Sequence, residues 1–292
     1  MSRQQAVFDP VAFKATTRQQ WDTAAEAWSR WSPLLSRWLG PATETMLDMA
    51  GVDEGSRVLD VAAGAGEQSI AAARRCGPSG HVLATDLSPE ILKFAAANAR
   101  RAGLDNLQTM VVDGESLAEI EAAPFDAVIS RVGLIYFPDQ HRAVSGMRAQ
   151  LRPGGKVGAM SYSRAEKNPF FSIPVGIIRR WAGLPAPLPG QPGPFSLADP
   201  DVFRGLLADA GFSKIDVEVI DAPVRLASAL ECLQFEQESF GALHQMLSGL
   251  SAQEQDDAWA EIEDALRQFE SGGHFEGPCE MVVAVGTRPD AG

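Results

Sequence analysis

Cysteine is scarce in this sequence of 292 residues. Cys76, Cys232 and Cys279 are odd in number and far apart, so they match neither a disulfide framework nor the paired ligand spacing of a zinc site. We predict no metal site and expect a reducing, cytoplasmic compartment. No apolar run approaches the ~20 residues that cross a bilayer, and the opening MSRQQAVFDP has no signal-peptide core, so we expect no membrane span.

Positive charge is also in short supply. The chain has 25 Lys and Arg against 38 Asp and Glu, a net charge of −13. The basic pairs Arg74-Arg75, Arg100-Arg101 and Arg179-Arg180 fall in predicted helices, where they are typical of solvated faces. Since an acidic surface repels phosphate backbones, we predict no nucleic-acid partner.

Residues 9–50 are predicted to be helical, starting at Asp9-Pro10 and interrupted at Gly40-Pro41 and Gly51. From residue 56, short apolar runs alternate with helical segments, which favours parallel β-α-β units. The predicted strands cover residues 57–61, 81–85, 107–112, 125–130, 156–162, 214–221 and 281–287.

These elements predict an α/β fold: a doubly wound, mostly parallel, seven-stranded Rossmann-like sheet with N-terminal helices and a helical cap. We expect an N-terminal helical lid at 1–50 and a cofactor-binding core at 51–163. Cap insertions are expected at 164–198 and 227–275, and the remaining part of the sheet at 199–226 and 276–292.

The sequence VLDVAAGAGE, residues 58–67, follows a strand and opens a helix. Gly64 and Gly66 would let the backbone approach a ligand closely. A dinucleotide fingerprint needs a third glycine, but Ser69 stands there, and Asp60 would repel a pyrophosphate. S-adenosylmethionine has no phosphate and carries two cationic centres, so the same carboxylate would attract it.

Two more acids stand at predicted strand ends. Asp86 can accept hydrogen bonds from ribose hydroxyls, which a dinucleotide also carries, and Leu87 can pack on adenine. Asp113 can accept from the adenine amino group, and Gly114 leaves room for the ring. Each acid could instead cap a helix or begin a turn. Their position at the carboxyl ends of successive strands, where such sheets bind ligands, favours one shared site.

With these residues in order, the chain resembles the class I S-adenosylmethionine-dependent methyltransferases. It is most similar to the branch that contains ubiquinone/menaquinone-biosynthesis and small-molecule methyltransferases. The resemblance rests on residues 58–67, ATDLSPEIL, VVDGESL, FDAVISRVGLIYFPD and LRPGGKV. It implies that the cofactor is held by Asp60, Ala62, Gly64, Gly66, Asp86, Leu87, Asp113, Gly114, Ser130 and Arg131.

The acceptor side is predicted from aromatic residues. Trp21 and Trp28 either close over the cofactor or simply pack between helices, and both interpretations stay open. Aromatic-lined cavities suit flat, apolar acceptors such as phenols, quinols or polyketides. Substrate or lid roles are predicted for Trp21, Trp28, Tyr136, Tyr162, Phe170 and Phe171.

No general base stands out; His141, His244 and His274 are weak candidates. The leading hypothesis is methyl transfer to oxygen, carbon or nitrogen of a small acceptor. Two alternatives stay open: an S-adenosylmethionine-binding enzyme with non-methylating chemistry, and a nicotinamide-dependent oxidoreductase. The sequence also leaves a homodimer open.

Overall fold

The computed structural model describes residues 8–122, 124–185 and 191–290. Most of the opening stretch examined for a signal peptide therefore lies outside the described residues, as do the residues numbered 186–190 of the first predicted cap insertion. In the part of the chain that is described, no helix is long and apolar enough to cross a membrane.

A seven-stranded sheet forms the centre of the molecule, in the order β3-β2-β1-β4-β5-β10-β6, with β10 antiparallel to both of its neighbours. This confirms the predicted doubly wound, mostly parallel sheet. The strands are β1 (Arg57–Val61), β2 (His81–Asp86), β3 (Leu107–Val111), β4 (Phe125–Arg131), β5 (Leu151–Tyr162), β6 (Ser213–Asp221), β7 (Val224–Leu226), β8 (Glu270–Ser271), β9 (His274–Gly277) and β10 (Glu280–Thr287).

Helices cover both faces of the sheet. On β1, Val58 joins the apolar cluster on one face and Leu59 the cluster on the other, as expected for a strand buried on both sides. The helices are α1 (Pro10–Arg30), α2 (Ser32–Met49), α3 (Glu67–Cys76), α4 (Pro89–Arg101), α5 (Gln140–Gln150), α6 (Pro169–Trp181), α7 (Pro200–Asp209), α8 (Ala229–Ser239), α9 (Gly241–Leu247) and α10 (Ala252–Leu266).

The predicted interruption at Gly40-Pro41 is wrong, because α2 continues through both residues. A proline inside a helix costs ~3 kcal/mol through the lost hydrogen bond and the steric clash. Burial of the apolar face of α2 offsets that cost, since each large side chain removed from water contributes ~1.5–3 kcal/mol. That face includes Leu35, Trp38, Leu39, Met46 and Leu47.

Strand β5 begins five residues earlier than predicted. Leu151 already pairs with Phe125, and regular pairing resumes with Lys156 opposite Ala127. The Pro-Gly-Gly stretch between them is thus an irregularity within the strand, not a turn before it.

The region after β5 builds the cap. Helix α8 packs on α1, and α10 packs on α6 and α8. The second predicted insertion is not purely helical, because β7, β9 and β8 form a small antiparallel sheet. The pairing of Val224 with Gly277 is distant in sequence, so no local pattern predicts it.

Candidate functional site

A cleft opens at the carboxyl ends of β1 to β4, with α1 across it, and contains about 990 Å³ of space including its open mouth. This is where a doubly wound sheet is expected to bind a ligand. Eleven residues predicted for the site line it: Trp21, Trp28, Ala62, Gly64, Asp86, Leu87, Asp113, Gly114, Arg131, Tyr136 and Tyr162.

Two strand-end loops bring strained backbone to the cleft. Ala62 after β1 has φ 59°, Val132 after β4 has φ 60°, and Gly64 has φ 57°. Left-handed backbone costs ~1–3 kcal/mol at residues other than glycine, and such strain gathers at functional sites. An added Cβ at Gly64 would lie 3.3 Å from Trp28 Nε1, so this glycine lets α1 lie close to the loop.

Asp86 at the end of β2 is the best-placed acid. Its Oδ2 accepts a hydrogen bond from the Gly64 backbone N–H at 3.0 Å, and its Oδ1 accepts from the Ser88 N–H at 2.9 Å. Burial raises the pKa of Asp86, while these backbone donors oppose the increase. The carboxylate thus fixes the glycine loop and keeps further lone pairs for a ligand.

Asp60, predicted to face the cofactor, is fully buried behind the wall and does not line the cleft. Ser69 Oγ donates to its Oδ2, and Gln68 Nε2 donates to its Oδ1 at 3.4 Å. Burial raises the pKa of Asp60 to about 7. Ser69 stands where a dinucleotide fingerprint has its third glycine. Its hydrogen bond to Asp60 therefore connects α3 to β1 at that position.

Gln68 connects that buried acid to the cleft. It lines the cleft, its Nε2 also donates to the Ala63 carbonyl at 3.1 Å, and its buried Oε1 has no hydrogen-bond partner among the described residues. Because an unpaired buried acceptor costs stability, this oxygen is suited to receive a ligand donor.

Asp113, after β3, is held by α1. Lys14 Nζ on α1 lies 2.8 Å from Asp113 Oδ2 and 2.6 Å from Glu115 Oε2. Asp113 Oδ1 accepts from the Glu115 N–H at 2.9 Å. The acid predicted to contact adenine is thus also the anchor of α1.

Arg131, at the end of β4, lines the cleft as a paired cation. Its guanidinium lies 3.3 Å from Glu67 Oε2 and 3.5 Å from Thr43 Oγ1. Burial lowers the pKa of Arg131, and Glu67 opposes that effect. Ser130 does not line the cleft, although its buried Oγ has no partner among the described residues.

Two tryptophans of α1 line the cleft and also pack together. Trp21 and Trp28 meet edge to face with ring centroids 5.1 Å apart, and Trp21 meets Tyr136 at 5.5 Å. Trp28 meets Phe240 of the cap at 5.9 Å. These contacts show that both side chains pack between elements and line the cleft; their closing over a cofactor stays a prediction.

Two of the predicted glycines act through packing. An added Cβ at Gly66 would lie 3.2 Å from the Ala95 backbone, so Gly66 lets α3 approach α4, and it does not line the cleft. An added Cβ at Gly114 would lie 2.5 Å from the Phe137 ring, so Gly114 lets Phe137 pack against the loop where both line the cleft.

The structure does not bring the remaining candidates to the cleft. Phe170 and Phe171 are buried behind Tyr162, at centroid distances of 6.2 and 5.9 Å. The three candidate bases are exposed and do not line the cleft. His141 lies in the first turn of α5, His244 lies on α9 and His274 begins β9.

Several cleft residues were missed by the sequence analysis. Lys14 and Gln68 carry no motif, and only their helical spacing from lining neighbours could have indicated them. Phe137 lies within FDAVISRVGLIYFPD, one of the segments on which the resemblance rests. Phe240 reaches the cleft through the packing of α8 on α1.

Residues 58–155 match the family model described as a methyltransferase domain. This segment contains the glycine loop, Asp86, Asp113 and Arg131, all in the cleft. Residues 58–155, about a third of the chain, are therefore similar to a methyltransferase domain, and this segment is called the methyltransferase domain below. The match agrees with the resemblance to methyltransferases that the sequence motifs carry.

Curated relatives of the methyltransferase domain include an uncharacterized protein of Mycobacterium tuberculosis, 35% identical over 148 residues, covering 51% of this chain and 50% of the relative. A ubiquinone/menaquinone biosynthesis C-methyltransferase of Bordetella avium is 37% identical over 118 residues, covering 40% of this chain and 45% of the relative. The chain spans about half the length of the curated relatives it matches.

A phosphoethanolamine N-methyltransferase of Haemonchus contortus, solved with phosphomonomethylethanolamine and S-adenosylhomocysteine, has the same fold with a TM-score of 0.58 and 19% identity. The match covers 97% of this chain and 61% of that structure. The fold of the methyltransferase domain is thus shared at low sequence identity.

Proposed function

We propose that the protein binds S-adenosylmethionine in the cleft and transfers its methyl group to a small, flat acceptor. The observation that carries the proposal is the convergence of Gly64, Asp86 and Asp113 on one cleft of the methyltransferase domain. The three residues lie at the carboxyl ends of three successive strands, Asp86 as the last residue of β2 and the other two just beyond β1 and β3. The resemblance assigns this set to the cofactor.

The residues present fit that cofactor. Asp86 keeps lone pairs for ribose hydroxyls beyond its two backbone donors. The unpartnered Oε1 of Gln68 can accept from the ammonium group, a charge-assisted hydrogen bond. Arg131 can attract the carboxylate while Glu67 neutralises its remaining charge. When bound, S-adenosylmethionine supplies an electrophilic methyl on a good leaving group.

The chain contributes positioning and exclusion of water. Trp21, Trp28 and Tyr136 form an apolar edge-to-face cluster over the cleft. Holding the nucleophile and the methyl group in line can lower the activation barrier by ~7–11 kcal/mol. Exclusion of water from the site prevents side reactions. None of this requires a histidine base.

Aromatic side chains support an aromatic, quinone-like or polyketide-like acceptor. Tyr162 and Phe240 line the cleft, and Phe171 contacts both rings from behind, at 5.9 and 5.0 Å. Such a wall favours a flat, apolar ligand. The cap that provides Phe240 would set acceptor choice.

Methyl incorporation from labelled S-adenosylmethionine into a panel of phenols and quinols tests the activity. Calorimetry with S-adenosylhomocysteine tests binding separately, with Gly64→Val as the variant. We expect binding by the wild type and none by the variant, because a β-branched side chain at φ 57° is strained and would displace Trp28. Normal affinity in Gly64→Val, or none in the wild type, contradicts the proposal.

Two alternatives have distinct outcomes. S-adenosylhomocysteine binding without methyl incorporation into any acceptor would favour non-methylating chemistry. Heat from NADH but not from S-adenosylhomocysteine would favour an oxidoreductase. The bond between Ser69 and Asp60 speaks against the latter, because it occupies the place of the third fingerprint glycine.

A further inference from the structure

The chain has only two tyrosines, Tyr136 and Tyr162, and both line the cleft. A tyrosine hydroxyl in such a place usually finds a hydrogen-bond partner in the protein. Neither of these hydroxyls has one among the described residues, and neither oxygen is fully buried. An unpartnered oxygen that is not sealed in the interior meets open space, and the open space that both residues border is the cleft. Two tyrosyl hydroxyls are therefore available to a ligand there.

The sheet order brings both tyrosines to one side of the cleft. Tyr162 is the last residue of β5, and Tyr136 ends the short 3₁₀ helix Leu134–Tyr136 that follows β4. The two acids of the cleft lie beyond β1 on the other side, Asp86 at the end of β2 and Asp113 after β3. The tyrosines therefore belong to the acceptor side of the cleft, and the acids to the side proposed for ribose and adenine.

Aromatic packing holds both rings in place. The Tyr136 ring meets the Trp21 ring edge to face, with centroids 5.5 Å apart. The Tyr162 ring contacts four further rings at centroid distances of 5.9–6.5 Å, those of Trp38, Phe170, Phe171 and Phe195. Burial raises the pKa of both phenols, so both hydroxyls keep their protons at neutral pH. They are thus neutral hydrogen-bond donors in fixed positions.

The groups that line the cleft include no free base. Among the lining residues that the structure describes, the only acids are Asp86 and Asp113, and none is a histidine. Asp86 accepts from two backbone N–H groups, and Asp113 is paired with Lys14. Two further cations, Arg18 and Arg131, also line the cleft. The acceptor side therefore provides hydrogen-bond donors and positive charge, but no group that could take up a proton.

We propose that the hydroxyls of Tyr136 and Tyr162 bind an acceptor that enters the cleft as an oxyanion, an acidic enol such as a hydroxyquinone or a 1,3-dicarbonyl compound. The inference rests on the proposed function and names the acceptor class of the same site. Such an anion has lost its proton to water before it binds, and it shares its charge between two oxygens. One oxygen accepts hydrogen bonds from the tyrosines. The other forms a bond to the methyl carbon as the carbon–sulfur bond breaks, which leaves a neutral enol ether and a neutral thioether.

Charge balance favours an anionic acceptor over a neutral one. Hydrogen bonds to an ionised acceptor are about twice as strong as those between neutral groups. Donors that packing already holds in position stabilise an oxyanion without rearranging. An oxyanion and a sulfonium also attract each other strongly where water is scarce, and the reaction cancels both charges. The acceptor side of the cleft is therefore suited to an anion that needs no base.

Equilibrium dialysis with 2-hydroxy-1,4-naphthoquinone, an anion at neutral pH, and with its neutral isostere 2-amino-1,4-naphthoquinone tests the binding role. We expect protein saturated with S-adenosylhomocysteine to prefer the anion by about tenfold or more, because charged acceptors form the stronger hydrogen bonds. Tyr136→Phe and Tyr162→Phe should each weaken the preference severalfold, and the double variant should lose most of it. Ser248→Ala, which removes an exposed hydroxyl just after α9, is the control and should keep it. No preference in the wild type, or an unchanged one in the double variant, overturns the proposal.

Methyl transfer from labelled S-adenosylmethionine tests whether the acceptor must arrive without its proton. The comparison is between 2-hydroxy-1,4-naphthoquinone and 2-naphthol, a similar ring system whose hydroxyl keeps its proton at neutral pH. We expect the hydroxyquinone to be methylated on oxygen ~100-fold faster or more, since that is the rate help that a missing general base would give to 2-naphthol. Rates within threefold of each other, or no methylation of the hydroxyquinone, would refute the anionic acceptor.

Two further measurements keep the outcomes separable. Tyr162→Phe should unfold at the same or a higher denaturant concentration than the wild type, because the hydroxyl that it removes has no partner in the fold. A lower midpoint would indicate a structural role for that hydroxyl and overturn the binding role. Calorimetry with S-adenosylhomocysteine reports on the proposed function alone: normal binding without any preference for the hydroxyquinone anion refutes only the role of the tyrosines.

Discussion

At the scale of single residues, the site depends on acids that serve the backbone and a ligand together. Asp86 accepts from two backbone N–H groups and still faces the cleft. Asp60 also lies near the carboxyl end of a strand, but its carboxyl is bonded to Ser69 in the interior of the protein. Strand-end position alone therefore does not decide which carboxyl meets a ligand.

Replacing Asp86 with alanine should weaken S-adenosylhomocysteine binding by at least tenfold, because hydrogen bonds to a charged acceptor contribute ~1.5–3 kcal/mol each. Isothermal calorimetry measures the change. Asp209→Ala, which removes an exposed acid at the end of α7, is the matched control for net charge. Equal affinities of the two variants would remove Asp86 from the site.

Asp60 predicts a pH dependence of stability. Its pKa is 3.8 in the ordinary state and about 7 in the fold, so the native protein holds this proton more tightly than the unfolded chain. The group therefore stabilises the fold less and less as pH rises from about 4 to about 7, by up to ~4 kcal/mol in total. The Asp60→Asn variant has no such proton.

Urea unfolding of wild type and Asp60→Asn at a series of pH values measures this effect. We expect the stability of the variant relative to the wild type to increase between pH 4 and pH 7 and to level off above. A difference that stays flat across this range would mean that Asp60 is ionised normally in the fold.

At the scale of elements, polar contacts hold α1 to the methyltransferase domain, and two of the contact points lie at the cleft. Lys14 bridges Asp113 and Glu115, and Asp22 accepts a hydrogen bond from Ser88. Both points are at loops that follow strands of the sheet. We therefore predict that these contacts help to keep α1 over the cleft.

Lys14→Met should loosen this fastening, because it keeps the apolar stem and removes the ammonium group. We expect faster amide hydrogen exchange in the first half of α1 and severalfold faster release of S-adenosylhomocysteine in stopped-flow experiments. Lys93→Met on α4, whose exposed ammonium pairs only with Glu90 among the described residues, is the control. Identical rates of S-adenosylhomocysteine release from the two variants would show that Lys14 does not slow the departure of the ligand.

At the scale of the whole molecule, ligand binding should be visible as stability. A ligand at about 100 times its dissociation constant adds ~2.7 kcal/mol to the unfolding free energy. For a chain of 292 residues, with an unfolding entropy of ~2.1 cal/mol/K per residue, this corresponds to a rise in Tm of roughly 4 °C. We expect that rise with S-adenosylhomocysteine and less than about 1 °C with NADH in differential scanning fluorimetry; the reverse order would favour the oxidoreductase.

The sequence by itself determined the sheet, the glycine loop and the set of acids at strand ends. These depend on local spacing: apolar runs of strand length, helix starts such as Ser88-Pro89, and a glycine loop between strand and helix. The same local rules were wrong at Gly40-Pro41, because burial of α2 against β5 and β10 outweighs the cost of the proline.

Only the tertiary structure decided how side chains from distant segments meet. It turned Asp60 inward onto α3, brought Lys14 of α1 onto Asp113 and placed Phe240, which follows α8, in the wall of the cleft. It also left the three candidate histidines exposed. The physical reason is that these outcomes depend on how α1 and α8 pack against the rest of the fold. Contacts between elements far apart in the chain produce no pattern of apolar residues in either segment from which they could be predicted.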